Sequence, residues 1–245
     1  MSIQLLYGDC LELMRDIPDG CVDAIIADLP YGQTQNIWDN PIPFEPLWKH
    51  YERIIKDNGA IILFGQGAFA AKVITSNEKL FRYDIVYEKT QPSGHLNANK
   101  MPMRCHEQML VFYKKLPTYN PQKTAGHPRK ISTASHKRNC KKSNNYNDYE
   151  FTSYDSTERY PRSVWKFAKD TQKEKDNETQ KPLALMEELV KTYTNEGDLV
   201  LDNCMGSGTT GVACYNLNRS FIGMEINIDS YVKADARIQA VMSAA

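Results

Sequence analysis

Two short stretches of the 245-residue sequence carry side chains better suited to chemistry than to packing. The first is Asp28-Leu29-Pro30-Tyr31-Gly32, at the end of an apolar run. Pro30 fixes its own φ and biases Leu29 toward an extended backbone. A turn stiffened in this way can aim the Asp28 carboxylate and the Leu29 carbonyl at one point, with the Tyr31 ring as a flat face beside them. Two acceptors and a ring make a receptor for a planar group bearing an NH₂. The plainer alternative is an Asp that caps the next element and a Tyr on a rim. The second stretch is Asn203-Cys204-Met205-Gly206-Ser207-Gly208-Thr209-Thr210. Its glycines let the backbone approach a ligand closely, and the free N–H groups of a helix N-terminus follow. A triphosphate loop needs Lys directly after the second glycine, where Thr209 stands. Glu225 ends the next apolar run, a place from which a carboxylate accepts hydrogen bonds from two ribose hydroxyls. Glycine turn and acid together indicate an adenosine-containing cofactor; the alternative is a glycine-rich turn beside a surface Glu.

Such residues work only if strand ends bring them together. Apolar runs at 4–7, 22–28, 60–65, 83–88, 107–113, 198–202 and 220–224 read as strands. Helical patterns at 10–17, 45–56, 68–76, 182–193, 209–216 and 229–242 alternate with them. Seven strands alternating with helices predict an α/β fold with a mostly parallel sheet and helices on both faces. In open sheets of that kind ligands bind beyond the carboxyl ends of the strands, where both stretches fall. Residues 114–177 break the rhythm and are too long for an ordinary loop, so they read as an insertion. The expected division is 1–113, an inserted 114–177, and 178–245.

The formal net charge is zero, with 30 basic and 30 acidic residues, but the charges are not evenly spread. Residues 114–142 hold nine Lys or Arg, namely Lys114, Lys115, Lys123, Arg129, Lys130, Lys137, Arg138, Lys141 and Lys142, and no acid. A run this one-signed repels itself unless it meets an anion. Tyr146, Tyr149, Phe151, Tyr154 and Tyr160 follow among Asn and Asp. Basic side chains followed by aromatic and amide ones suit phosphate contact and base stacking; a solvated loop is the alternative. Hydrophobic content of 41% and charged content of 24% exclude wholesale disorder. No apolar run approaches the ~18 residues of a membrane helix. Asp9 interrupts any signal-peptide core, so a cytoplasmic protein is expected. The six cysteines form no CxxC pair, which suits reduced thiols. His127, His136 and Cys140, even with Cys105 or His106, lack the spacing of a zinc clamp, so no metal is expected.

Taken together these motifs resemble the amino-group DNA methyltransferases that use S-adenosylmethionine. Asp28-Leu29-Pro30-Tyr31 is similar to the family's (D/N/S)-P-P-(Y/F) motif, with Leu in second place. Asp202 through Thr210, with Glu225 beyond, is similar to D-P-F-x-G-S-G-T-T ending in an acid, but Asn203 and Cys204 replace Pro-Phe. Thr179-Gln180-Lys181-Pro182 resembles the T-Q-K-P element, preceded by Asn177-Glu178 instead of His-Pro. Gly8-Asp9-Cys10-Leu11-Glu12 resembles the N-terminal G-D-x-L-E element. Catalytic motif first, basic region in the middle and cofactor motif last is the order of the permuted beta class.

The resemblance implies a Rossmann-like seven-stranded methyltransferase sheet in which residues 114–177 form the target-recognition region. It implies S-adenosyl-L-methionine as cofactor and double-stranded DNA as partner, with no membrane and with a homodimer as one oligomeric state. Asp28, Leu29, Pro30 and Tyr31 would be catalytic, two acceptors pyramidalising an exocyclic amine for in-line attack on the sulfonium methyl. Asp9, Cys10, Asp28, Lys181, Asp202, Asn203, Gly206, Ser207, Gly208, Thr209 and Glu225 would bind the cofactor, Lys181 at its methionine carboxylate. Lys123, Arg129, Lys130, Lys137, Arg138, Lys141 and Lys142 would contact nucleic acid. Asn97, Asn99, Lys100, Arg104 and His106 could border a flipped base, Trp38-Asp39 could order the catalytic loop, and Trp165 packs the insertion on the sheet. Adenine N6 is the expected target because Asp opens the catalytic motif. Cytosine N4, an RNA or protein amide, and a silent nucleic-acid binder marked by Leu29 are the alternatives.

Overall fold

The computed structural model describes residues 1–32, 40–135, 152–168 and 180–244. Strand β1 (Ile3–Tyr7) leads into a short helix α1 (Cys10–Leu13) and one 3₁₀ turn, Met14–Asp16. Then come β2 (Val22–Ala27), α2 (Phe44–Ile54), β3 (Ile55–Gly65), α3 (Gly67–Ser76), β4 (Phe81–Ser93) and β5 (Arg104–Phe112). Short strands β6 (Lys130–Ser132), β7 (Tyr154–Ser156) and β8 (Val164–Phe167) precede α4 (Leu183–Tyr193). The chain closes with β9 (Leu199–Asp202), α5 (Thr209–Asn216), β10 (Ser220–Glu225) and α6 (Ile228–Ser243).

Among the described residues eight strands form one sheet in the order β1-β10-β9-β2-β3-β5-β4-β8. Strands β1, β10, β9, β2 and β3 pair in parallel, while β5 runs antiparallel to both β3 and β4. The expected α/β architecture stands, with one strand more than the seven counted in the sequence. The extra strand, β8, pairs in parallel with β4 from within the segment read as an insertion. Its four residues alternate exposed and half-buried, a period-2 pattern too short to stand out among polar neighbours. Trp165 accordingly sits in the sheet itself, packed on one of the two cores.

Those cores lie on opposite faces, and the pleat sorts residues between them. In β2, Ile25 and Ala27 face a cluster with Leu47, Trp48 and Tyr51 of α2 and Phe69 and Val73 of α3. Ala24 and Ile26 face the other, with Leu185, Leu189 and Tyr193 of α4, Val212 of α5 and Ile238 of α6. Burial on both faces is why β2 reads as a nearly unbroken apolar run.

The chain divides into two compact units, 1–120 with 163–245, and 121–162. The segment 114–177 is thus shared between them. Within the smaller unit β6 and β7 pair antiparallel, and Thr124 bridges Arg159.

The junction of α5 and α6 rests on a missing side chain. Gly208 caps α5 with φ of +74°, and a methyl group there would lie 3.0 Å from Ala234 Cβ and 3.1 Å from Ile238 Cδ1. Gly208→Ala therefore meets a disfavoured backbone and an overpacked contact together. We expect it to lower stability by about 1–3 kcal/mol in denaturant titration. Wild-type stability would show that α6 can step back without cost.

Candidate active site

The sheet order puts the two chemistry-bearing stretches side by side. Strands β2 and β9 are neighbours, with Ala24 opposite Val200 and Ile25 opposite Leu201. Parallel neighbours end together, so Asp28 and the turn after Asp202 emerge at one carboxyl edge. On the far side of β9, Asp202 stands opposite Gly223 of β10, whose last residue is Glu225.

Asp28 continues the face of Ala24 and Ile26, whereas Leu29 continues that of Ile25 and Ala27 and is buried in their core. Both Asp28 oxygens are engaged. Oδ1 accepts from the Tyr31 hydroxyl at 3.0 Å, and Oδ2 lies 2.5 Å from Lys181 Nζ. The Tyr31 ring stacks on Phe69 at 4.4 Å between centroids and 23° between planes, worth about 0.5–1.5 kcal/mol beyond burial.

Lys181 is shared. Its side chain is 13% exposed, and Nζ lies 3.0 Å from Glu107 Oε2 and 4.8 Å from the Phe64 ring centroid. Glu107 is ion-paired through its other oxygen to Lys89. Burial alone would lower the Lys181 ammonium, but the Asp28 and Glu107 carboxylates hold it well above the ordinary lysine value. Burial pushes Glu107 up, and Lys181 with Lys89 outweighs it, so its carboxyl ends below the usual carboxylate range.

The glycine turn is tied to the end of β10. Met205 N donates to Met224 O at 2.9 Å, and Gly206 N donates to Glu225 Oε2 at 2.9 Å. Asn227 N donates to Glu225 Oε1 at 2.8 Å, and Gly8 N to the Glu225 carbonyl at 3.0 Å. Asp202 turns inward, accepting from Cys204 N at 3.1 Å and the Thr210 hydroxyl at 2.6 Å. The buried Asn203 amide accepts from the Tyr51 hydroxyl at 2.5 Å and donates to the Cys10 and Cys204 sulfurs at 3.4 and 3.5 Å. Asp9 caps α1 through Leu11 N at 2.7 Å.

One residue that no sequence motif singles out belongs here. Arg237 Nη1 donates to Thr209 Oγ1 at 2.8 Å and to the Ser207 carbonyl at 3.2 Å. Gln180, with its amide oriented to suit both neighbours, donates to Ser207 Oγ and accepts from Arg237, each at 3.1 Å. Arg237 lies one helical turn beyond Ala234, on the face of α6 that meets Gly208. That packing is what brings it to the loop, so nothing in the local sequence announces it.

The basic residues divide. Lys114 donates to the Glu52 carbonyl at 2.7 Å, and Lys115 pairs with Asp57 at 2.6 Å. In the smaller unit Lys123 pairs with Glu158 at 3.3 Å, and Arg129 grips Asp155 through two bonds of 2.8 and 2.6 Å. Part of the one-signed run thus meets its anions in the protein's own next segment. Lys130 begins β6 and is exposed. Lys137, Arg138, Lys141 and Lys142, with His136, Cys140 and Trp38-Asp39, lie outside the described residues. Between β4 and β5, Asn97 ends a 3₁₀ turn and Asn99 and Lys100 are exposed; at the start of β5, Arg104 reaches Gln66 and the His106 carbonyl accepts from Gln66. Among the described residues no group of three or more His, Cys, Asp or Glu is placed to hold a metal ion, and no helix is long and apolar enough to cross a membrane.

Sheet and crevice together define a Rossmann-like methyltransferase domain. A model of the DNA methylase family, the N6 and N4 methyltransferases, matches residues 22–235, and the chain belongs to that family. It is 28% identical over 255 residues to the type II methyltransferase M.HinfI of Haemophilus influenzae, covering 90% of this chain and 64% of that protein. It is 25% identical over 252 residues to the DNA adenine methyltransferase YhdJ of Escherichia coli (strain K12), covering 95% of this chain and 81% of that one. The crystal structure of the M1.HpyAVI–SAM complex is similar with a TM-score of 0.67 at 26% identity, covering 96% of this chain and 98% of that one.

Asp202 makes one property of this edge measurable. Burial pushes its carboxyl up to about 7, the Thr210 and Cys204 hydrogen bonds opposing and the Asp28 and Glu225 charges adding to the rise. Its folded value therefore lies above the unfolded one, near 4. Such a group leaves stability intact below the unfolded value and erodes it as pH rises toward the folded one. Without cofactor, the wild-type Tm should fall more steeply between pH 5 and pH 7.5 than that of Asp202→Asn. Parallel curves would remove Asp202 as the titrating group.

Proposed function

We propose that the protein transfers a methyl group from S-adenosyl-L-methionine to the exocyclic N6 amine of adenine in double-stranded DNA, without a covalent enzyme intermediate. The observation that carries this reading is the adjacency of β2 and β9, which brings the acceptors after one strand to the glycine turn after the other. When bound, the cofactor supplies an electrophilic methyl on a sulfonium. The turn leaves room for such a ligand: Gly206 has φ of +51°, and a methyl group at its Cα would meet no other atom within 4 Å. The turn therefore borders open space beside the Glu225 carboxylate. Gly206, Ser207, Gly208 and Thr209 would hold the methionine part and Glu225 the ribose. Asp9 and Cys10 would lie along the adenine, and Asp202 and Asn203 would set the shape of the turn.

The target base must leave the duplex to reach this edge. Asp28 and the Leu29 carbonyl would then each accept one amine N–H, relocalising a lone pair otherwise delocalised into the ring. A carboxylate offers about four lone-pair sites, so the Tyr31 and Lys181 contacts leave Asp28 room for a third partner. Acceptors fixed in advance act where positive charge develops on nitrogen. Adenine is favoured by the Asp that opens the motif and by the name of the YhdJ relative. Residues 114–177, which include the compact unit 121–162 and its basic side chains, are proposed as the target-recognition region. The same reading includes the cytoplasm as location and a homodimer, both on the family likeness.

Two experiments test it. With labelled cofactor and duplex DNA, followed by nucleoside analysis, wild type should yield N6-methyladenine. Asp28→Ala should lose about 10²–10³-fold or more in transfer rate while cofactor affinity persists. Label on cytosine N4, or undiminished transfer by the variant, would overturn the assignment. For DNA affinity, replacing Lys137, Arg138, Lys141 and Lys142 together by Gln should reduce the slope of log K against log salt by about 3–4, at ~0.9 for each phosphate no longer neutralised. An unchanged slope would place the phosphate-binding side chains elsewhere.

A further inference from the structure

We infer that Lys181, Glu107 and Lys89 are positioning residues for Asp28, a chain of alternating charges that fixes the catalytic carboxylate in place and sets its strength as an acceptor. The inference rests on the function proposed above and goes beyond it, because it gives Lys181 a task other than holding the cofactor's carboxylate.

The geometry carries it. Lys181 Nζ is within ion-pair distance of Asp28 and Glu107 at once, at 2.5 and 3.0 Å, and its remaining surroundings include the Phe64 ring. Glu107 holds Lys181 with one oxygen and Lys89 with the other. The sheet builds this row. Glu107 stands opposite Tyr87 in the β4–β5 register, so Lys89, two residues on, is its diagonal neighbour on the same face. Asp28 extends that face from β2. An ammonium clamped between two carboxylates in a dry setting has no freedom to follow a ligand, and it restricts Asp28 instead. The directions of the Lys181 and Glu107 shifts, up for the ammonium and down for the carboxyl, agree with both being charged.

The charges in the row sum to zero, which makes the idea testable by sign. Facing Asp28 are Lys181 and the Tyr31 hydroxyl, with the Asp202 carboxyl at the end of β9 near enough for the two charges to interact. Facing Glu107 are Lys181 and Lys89, and beside them lie His106 and the exposed Glu88–Lys166 pair. Lys89→Met leaves the row with a net negative charge, so carboxylates in it protonate more readily. Glu107→Gln leaves a net positive charge, so they protonate less readily, and Asp28 becomes a poorer acceptor.

The experiment is single-turnover methyl transfer to duplex DNA as a function of pH, with cofactor and DNA saturating. Lys89→Met should move the acidic limb upward, and Glu107→Gln should move it downward with a lower plateau. The double variant, neutral again, should return the limb to the wild-type position; it also replaces the ion pair by uncharged groups, which guards against a single variant that does not fold. Lys166→Met, on the exposed pair next door, should leave the profile unchanged. Cofactor KM, from a separate steady-state titration, should stay within about twofold throughout. Limb shifts of the same sign, no shift, or effects confined to cofactor KM would overturn the inference, the last result returning Lys181 to the cofactor. A wild type that methylates no DNA base would instead sink the proposed function, which keeps the two failures distinct.

Discussion

A single ammonium, buried and shared by two carboxylates, is the interaction on which this edge of the molecule depends. Lys181 would be costly to bury alone, and so would Glu107. Together with Lys89 and Asp28 they offset one another's desolvation, and removing one partner of such a pair typically costs about 3–5 kcal/mol. Stability alone does not account for the arrangement, since apolar residues of similar volume fill such places at least as well. What the ions supply that apolar groups cannot is a charged Asp28 carboxylate held in one direction at a partly open edge. Its side chain is one-third exposed, so a substrate group can reach it while Lys181 holds it from within.

That row of charges exists because of where the strands end. In a parallel sheet every strand delivers its last residue to the same edge. Here β10, β9 and β2 are consecutive neighbours, so the Glu225 carboxylate, the glycine turn and Asp28 arrive beside one another without any long loop. The reversed strand β5 presents the start of its sequence there, and this is why Glu107, early in that strand, joins residues that follow strands elsewhere. The 24–26–28 alternation does the rest, placing Asp28 over the core below Lys181 while Leu29 drops into the opposite core.

Much of this was legible in the residues. The strand-and-helix alternation, the glycine turn, the acid that ends β10 and the turn after β2 are local patterns, and each found its place in the fold. What escaped depended on pairing between distant segments. Lys89 and Glu107 look like ordinary charges of two strands until the register makes them diagonal neighbours. Arg237 reads as one polar residue of an amphipathic helix, and its link to Ser207 and Thr209 appears only when α6 packs over Gly208. The acids that answer Lys123 and Arg129 come from a segment some 26 to 35 residues later, so counting charge along the chain overstated its one-signed character. Strand β8 was too short for its alternation to register.

The departures from the family motif follow the same logic. A Pro at position 29 would have stiffened the turn from within the backbone. Leu29 instead buries its side chain to 3% exposure in the core shared with Ile25 and Ala27, so packing anchors the turn where a ring would have. The acceptor proposed at this position is the carbonyl, which either residue provides, and Pro30 remains to restrict the next φ. Asn203 and Cys204 make a similar exchange. Burying an amide in place of a ring demands partners for its oxygen and its NH₂, and both are present: the Tyr51 hydroxyl from α2, and the sulfurs of Cys10 and Cys204. Tyr51 and Cys10 sit in the same core as Leu29. The substitutions are therefore met by surrounding residues that satisfy them, as a buried polar group requires.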